Sequence, residues 1–145
     1  MRIRILMFTL LLPAAGVAAE ANCWTQAGQR YGVDPALLVA IAKTESSLNP
    51  LALNRNRGAR GESLDIGLMQ INSQWWPTLA RFGIEPEHLW DACTSIHVGA
   101  WILANNLARA DLWTAVGAYN AGWKPERSTR RNEYAWRVYR HLAGH

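Results

Sequence analysis

Ala36-Leu37-Leu38-Val39-Ala40-Ile41-Ala42-Lys43-Thr44-Glu45-Ser46-Ser47 is the stretch from which the fold can be read. Asp34 stands ahead of it with a side chain able to cap free backbone amides, and Pro35 suits a first helical turn. Asn49-Pro50 follows, and a residue before proline is pushed out of the α region, so the pattern predicts a helix that stops there. Between these marks nearly every residue is apolar, which predicts burial on most sides. Leu38, Ile41, Ala42 and Glu45 fall at i, i+3, i+4 and i+7, so a carboxylate shares the face of the core residues. Desolvation at such a place favours the protonated acid. A carboxyl that keeps its proton near neutral pH can act as a general acid. The plainer reading is a solvated glutamate in a last helical turn, and the helix alone does not exclude it.

Working outward, Asn22 is placed to cap a short helix through Tyr31, closed by Gly32. Leu51 to Leu64 breaks periodicity and carries two asparagines, three arginines and two glycines, so it reads as an irregular loop or a short hairpin. Asp65 to Asn72 then mixes apolar residues with the side-chain amides of Gln70 and Asn72. Ser73 to Phe82 reads as a helix interrupted by Pro77 and closed by Gly83, and Pro86 to Trp90 as a single turn. Asp91 should cap a helix to about Arg109, striped by Ile96, Gly99, Ala100, Leu103 and Leu107. Asp111 should cap Leu112 to Tyr119, ending at Asn120-Ala121-Gly122, where glycine can take the left-handed conformation. Arg130 to Leu142 is a final amphipathic helix with Tyr134, Val138 and Leu142 on one side. Short capped helices in this order make a mainly α, compact multi-helix domain with one irregular excursion.

Residues 1–19 have the pattern of a secretory signal peptide: Arg2 and Arg4, an apolar run from Ile5 to Leu12, then small residues to Val17-Ala18-Ala19. Ala19-Glu20-Ala21 offers a second cut, and a retained N-terminal anchor is the alternative. The apolar run is short for a membrane span, and no later run could supply one, so no stable membrane anchor is expected. Residues 20–145 suit a single domain, expected in the periplasm and monomeric. Cys23 and Cys93 are the two cysteines of the 145-residue chain. In an exported protein they are most simply a disulfide between the first helix and the middle of the chain, with two free thiols as the alternative. They have no neighbouring ligand pattern, and His88, His97, His141 and His145 form no convincing set, so no metal is expected.

Losing Arg2 and Arg4 would take the 15 basic residues to 13, against 11 acidic ones. Arginines gather at Arg55, Arg57 and Arg60, and again at Arg127, Arg130, Arg131, Arg137 and Arg140. Such clusters can hold an anionic polymer or simply be solvated faces. The export signal argues against nucleic acid as a partner.

Three separated stretches resemble the signature of the soluble lytic transglycosylase (SLT) domain family: Glu45-Ser46, Gly67-Leu68-Met69-Gln70-Ile71-Asn72, and Ala118-Tyr119-Asn120-Ala121-Gly122. Their order and spacing match, and Tyr134 with Val138 is similar to a fourth element. Three motifs in register are far more specific than any one. The small size, leader and early cysteine resemble members that accompany secretion, pilus or conjugation machines. The resemblance implies a lysozyme-like fold over residues 20–145 and cleavage of the β-1,4 bond between N-acetylmuramic acid and N-acetylglucosamine in peptidoglycan, without a cofactor. It implies Glu45 as catalytic acid and then base, with the muramic acid 6-hydroxyl attacking the anomeric carbon to leave a 1,6-anhydro end. Expected partners are peptidoglycan glycan strands and a component of such a machine.

The resemblance also assigns neighbours. Ser46 would hydrogen-bond substrate or orient Glu45. Gln70 would reach sugar or peptide, and Asn72 would brace the turn. Tyr119 would point its hydroxyl at Glu45, Asn120 would shape the bend and contact sugar, and Tyr134 would line the cleft or pack. Leu68, Met69 and Ile71 read as core. Asp65 has two readings: a second catalytic carboxylate that stabilises an oxocarbenium-like state, or a cap for the Ile66 to Ile71 turn. Glu62 is a weaker second candidate. Competing functions are a hydrolysing muramidase that uses Glu45 and Asp65, and a non-catalytic wall-binding scaffold.

Overall fold

Asp34 caps its helix as its position predicts, its Oδ1 accepting from the Ala36 amide at 2.8 Å. The computed structural model describes residues 15–58 and 61–144, with side chains from Asn22 onward; residues 1–14, most of the expected leader, lie outside the described residues. The capped helix, α2 (Pro35–Ser46), follows α1 (Ala15–Tyr31). The expected start of α1 at Asn22 is corrected: helix-favouring alanines at 15, 18, 19 and 21 carry it further back, and Asn22 lies inside it. The stop of α2 is also earlier than Asn49-Pro50. Ser47 (φ 54°) and Leu48 (φ 63°) both turn left-handed, and their amides bond back to Lys43 O and Ala42 O at 3.1 and 3.4 Å.

The polar excursion is an ordered sheet. Strands β1 (Leu53–Gly58), β2 (Gly61–Ile66) and β3 (Ile71–Asn72) lie antiparallel in that order. Asn54 pairs with Asp65, Asn56 with Ser63, and Asp65 with Asn72, which sets these polar side chains on one face. The hairpin is thus the correct one of the two readings for this stretch. Most of its residues are exposed, so hydrogen bonds rather than burial hold it.

Four further helices complete the chain: α3 (Trp76–Ala80), α4 (Ala92–Leu107), α5 (Leu112–Ala121) and α6 (Ser128–Leu142), with single 3-10 turns at Ser73–Trp75, Pro86–Trp90 and Pro125–Arg127. Asp91 caps α4 by accepting from Thr94 N at 2.7 Å, and Asp111 caps α5 by accepting from Trp113 N and Thr114 N. Within the Pro86–Trp90 turn, His88 Nδ1 accepts from Glu85 N at 3.0 Å. Helix α4 runs through the core, with Ile96, Ala100 and Leu103 fully buried. Cys23 of α1 and Cys93 of α4 form a disulfide that closes 70 residues, worth about 4 kcal/mol in the chain-entropy model. Helix α6 packs on α2 and α5. Gly117 permits that approach, since a Cβ there would lie 2.5 Å from Arg131 O. Tyr134, Ala135 and Val138 are buried on α6, while Leu142, expected on the same face, is 37 % exposed where the last turn passes the core.

Candidate active site

The Gly67–Gln70 turn, which joins β2 to β3, is buried and not helical, so its backbone groups need partners from elsewhere. Gly67 N donates to Ala52 O at 2.9 Å. Leu68 O accepts from Ser46 Oγ at 2.7 Å, Met69 N donates to Ser95 Oγ at 3.1 Å, and Met69 O accepts from Tyr119 Oη at 2.9 Å. Gln70 Nε2 donates to Gly67 O and Ala52 O, and its Oε1 accepts from Asn54 Nδ2 at 2.7 Å. These bonds hold Gln70 at φ 49°, unusual for a residue with a side chain. Gly67 has no alternative: its φ is 77°, and a Cβ would meet Leu89 O at 2.2 Å. Leu68, Met69 and Ile71 are wholly buried, as core residues should be.

Several expected sugar contacts therefore go elsewhere. Ser46 hydrogen-bonds Leu68 O and Ala42 O, which fastens the end of α2 to the turn. Gln70 borders the cleft, but its amide is committed to the turn and to β1. The hydroxyl of Tyr119 points at Met69 O and not at Glu45, which corrects the expectation for it.

Tyr134 takes the place expected of Tyr119. Its Oη donates to Glu45 Oε1 at 2.6 Å, because α6 crosses α2 and presents Tyr134 to the helix end. Glu45 is half-buried and opens into a cleft of about 810 Å³. Burial drives its pKa from 4.5 to about 7; the Tyr134 hydrogen bond opposes this, the Asp65 charge adds to it, and the Asn120 amide and Arg137 oppose it. Burial, then the charge of Glu45, pushes the Tyr134 and Tyr119 hydroxyls well above the usual phenol value. Both tyrosines are therefore proton-bearing donors.

Asp65 lies on β2 and lines the same cleft. It accepts from Asn56 Nδ2 at 2.6 Å and Asn72 Nδ2 at 2.7 Å, so it is no helix cap; its oxygens are gripped from β1 and β3. Asn72 braces the region as expected, reaching Ser63 Oγ with Nδ2 and accepting from Gln74 N. Glu62 pairs with Arg57 at 2.9 Å on the exposed hairpin, which leaves it an ion-paired rim residue. Asn120 is exposed on the cleft at the end of α5.

The cleft is also lined by Asn56, Ser63, Trp75, Lys124, Arg127 and Arg130. Of these, the sequence reading singled out only the two arginines. Period-two spacing of Asn54 and Asn56 could have revealed a strand face, but with loop and hairpin both open for this stretch the sequence assigns no face. Among the described residues, no helix is long and apolar enough to cross a membrane.

A family model described as "Transglycosylase SLT domain" matches residues 22–140. The chain belongs to the transglycosylase SLT domain family. By that membership it is a lytic transglycosylase that acts on peptidoglycan. It is 45% identical over 131 residues to the invasion protein IagB of Salmonella typhimurium, spanning 87% of this chain and 80% of that one. It is 40% identical over 123 residues to the protein IpgF of Shigella flexneri, spanning 83% and 79%. Among solved structures it is similar to an inactive mutant of the lytic transglycosylase Slt from Pseudomonas aeruginosa, with TM-score 0.63 and 20% identity over 90% of this chain. The match spans 24% of Slt, so the SLT domain has the lysozyme-like fold of one part of that larger enzyme.

Proposed function

We propose that Glu45 is the general acid and base of this transglycosylase, and that it leaves a 1,6-anhydro-muramic acid end. The observation that carries the reading is a half-buried carboxyl with a pKa of about 7 that opens into the cleft. Tyr134 occupies Oε1, so Oε2 is the oxygen free to carry the proton. Glu45 gives that proton to the glycosidic oxygen as the bond to the anomeric carbon breaks. The carboxylate then draws the proton from the muramic acid 6-hydroxyl, whose oxygen bonds to the anomeric carbon. The attacking group comes from the same sugar, so orientation replaces a bound water. No cofactor enters this scheme.

Asp65 presents a carboxylate to the same cleft, which suits stabilisation of positive charge developing at the anomeric carbon. Asn120 would contact sugar from the end of α5. Ser46, Gln70 and Tyr119 would serve substrate indirectly, by fixing the turn that adjoins Glu45. Two carboxylates on one cleft also favour a second reading, a hydrolysing muramidase in which Asp65 is nucleophile or stabiliser. Mass spectrometry of digested sacculi separates the two, because anhydro ends are lighter than hydrolytic ends by one water. Glu45→Gln should abolish both products. Undiminished wall cleavage by that variant would sink the assignment, and no cleavage by the unsubstituted protein would favour a wall-binding scaffold.

The place of action we infer is the periplasm, from the leader-like residues 1–19, with a disulfide suited to an oxidising compartment. The task we infer is local opening of the wall for a secretion, pilus or conjugation machine. A relative called an invasion protein supports this. Protease protection in spheroplasts and loss of function on deletion of residues 1–19 test the location.

A further inference from the structure

The loop between α5 and α6 places Lys124 and Arg127, and the first turn of α6 places Arg130, along the cleft that Glu45 lines. Arg131 holds this loop in shape, donating through Nη1 to Gly122 O at 3.1 Å and Lys124 O at 2.8 Å. Arg127 Nη1 donates to Ala121 O at 3.2 Å, which ties it to the end of α5. None of Lys124, Arg127 and Arg130 makes an ion pair among the described residues. The carboxyls of the cleft offset them only in part: Glu62 is paired with Arg57, Glu45 is half-protonated near pH 7, and the single carboxylate of Asp65 is set against three cations. Helix α6 adds its positive end, since no side chain caps its start at Arg127. The cleft therefore carries an excess of positive charge beside the proposed acid, and unpaired cations in a cleft concentrate anions.

We propose that Lys124, Arg127 and Arg130 determine specificity by reading the carboxylates that hang from the glycan strand, so that the enzyme prefers anionic strands to neutral ones of the same linkage. This rests on the reading of the cleft as glycan-binding. Two kinds of carboxylate qualify, the lactyl group of muramic acid where no peptide is attached and the side and terminal carboxylates of the stem peptides. Both are absent from neutral β-1,4-linked N-acetylglucosamine.

The test measures binding apart from catalysis. Full-length protein carrying Glu45→Gln is co-sedimented with three preparations: untreated sacculi, sacculi whose carboxylates have been amidated with carbodiimide and ammonia, and strands stripped of peptide by an amidase. Lys124→Gln with Arg130→Gln should weaken binding to untreated sacculi by about tenfold at low salt, from several-fold per exposed cation, and flatten the salt dependence. The same pair should leave binding to amidated sacculi unchanged, and Lys124→Arg with Arg130→Lys should restore binding to untreated ones. Equal melting temperatures show that the fold is intact. Binding to stripped strands that stays sensitive to the substitutions assigns the lactyl carboxylate; sensitivity that vanishes there assigns the stem peptide. Equal binding of the parent to untreated and amidated sacculi overturns the proposal, as does a double variant that binds untreated sacculi like its parent. Catalysis fails separately: protein with Glu45 intact that cleaves none of the three preparations refutes the acid–base reading while the binding contrast stands.

Discussion

Replacing Glu45 with glutamine should stabilise the protein, and increasingly so as pH rises. The carboxyl has a pKa of about 7 in the folded chain against 4.5 for an unperturbed group, a gap of about 2.5 pH units. A raised pKa means that the folded state binds the proton more tightly than the unfolded state. The stability this contributes is fully present below 4.5 and is lost as pH rises through about 7. At 1.36 kcal/mol per pH unit the loss is about 3 kcal/mol by pH 8.5. Glutamine has nearly the same shape and still offers Tyr134 an acceptor oxygen, so it removes the buried charge and little else. Urea denaturation of both proteins from pH 4 to 9 measures the difference. The two stabilities should agree within error near pH 4.5 and separate by about 3 kcal/mol at pH 8.5, or roughly 10 °C in Tm for a domain of this size. If the two curves run parallel, or if wild type gains on the variant as pH rises, Glu45 is not held protonated. The physical basis for a general acid at neutral pH would then be gone.

Tyr134→Phe removes a donor that favours the charged form of Glu45, so the alkaline limb of kcat/KM should move upward by about one pH unit, from ~1.5 kcal/mol for a hydrogen bond to a charged group; Tyr119→Phe, whose hydroxyl bonds Met69 O, should leave that limb where it is. Asp65→Asn removes a charge that raises the Glu45 pKa, so the limb should move to lower pH, and kcat should fall by about a hundredfold if Asp65 stabilises the transition state; full activity in a folded variant excludes the electrostatic role. Gly67→Ala combines a φ of 77° with a Cβ 2.2 Å from Leu89 O, and thermal melts should show a loss of about 2–4 kcal/mol, with activity lost as the turn shifts.

The elements whose signals are local could be read before any coordinates. Asp34, Asp91 and Asp111 each cap the helix that follows, because a cap and its helix are neighbours in sequence. The face shared by Leu38, Ile41 and Glu45 followed from helical period alone, and burial of the two apolar residues bears it out. The hairpin was harder. Strand β1 alternates polar with polar after Leu53 and only Leu64 and Ile66 of β2 leave a short apolar trace, so the register of Asn54 and Asn56 against Asp65 and Ser63 is what shows their common face. The choice between Tyr119 and Tyr134 could not be made from the chain at all. Both bear the same hydroxyl, and which one meets Glu45 depends on the crossing of α6 over α2, 89 residues away along the sequence.

The turn at Gly67–Gln70 explains why the three motif stretches belong together: the other two both hydrogen-bond to its backbone. Ser46 bonds Leu68 O from the residue after Glu45, and Tyr119 bonds Met69 O from the residue before Asn120. Each hydroxyl therefore links a cleft-lining neighbour to the same two residues of backbone. Loss of either leaves a carbonyl without its partner, at a cost of about 1–3 kcal/mol if it stays dry. The loss also frees Glu45 or Asn120 to drift within the cleft, and under the proposed acid role of Glu45 a drift of about 1 Å is enough to cost a hundredfold in rate. Such residues should behave as positioning residues in kinetics. Ser46→Ala and Tyr119→Phe would lower kcat while leaving the pH midpoint of Glu45 in place, whereas Tyr134→Phe moves the midpoint itself. The motif is thus held together by hydrogen bonds that converge on the Leu68 and Met69 carbonyls, with Glu45 one residue from the nearer of its anchors.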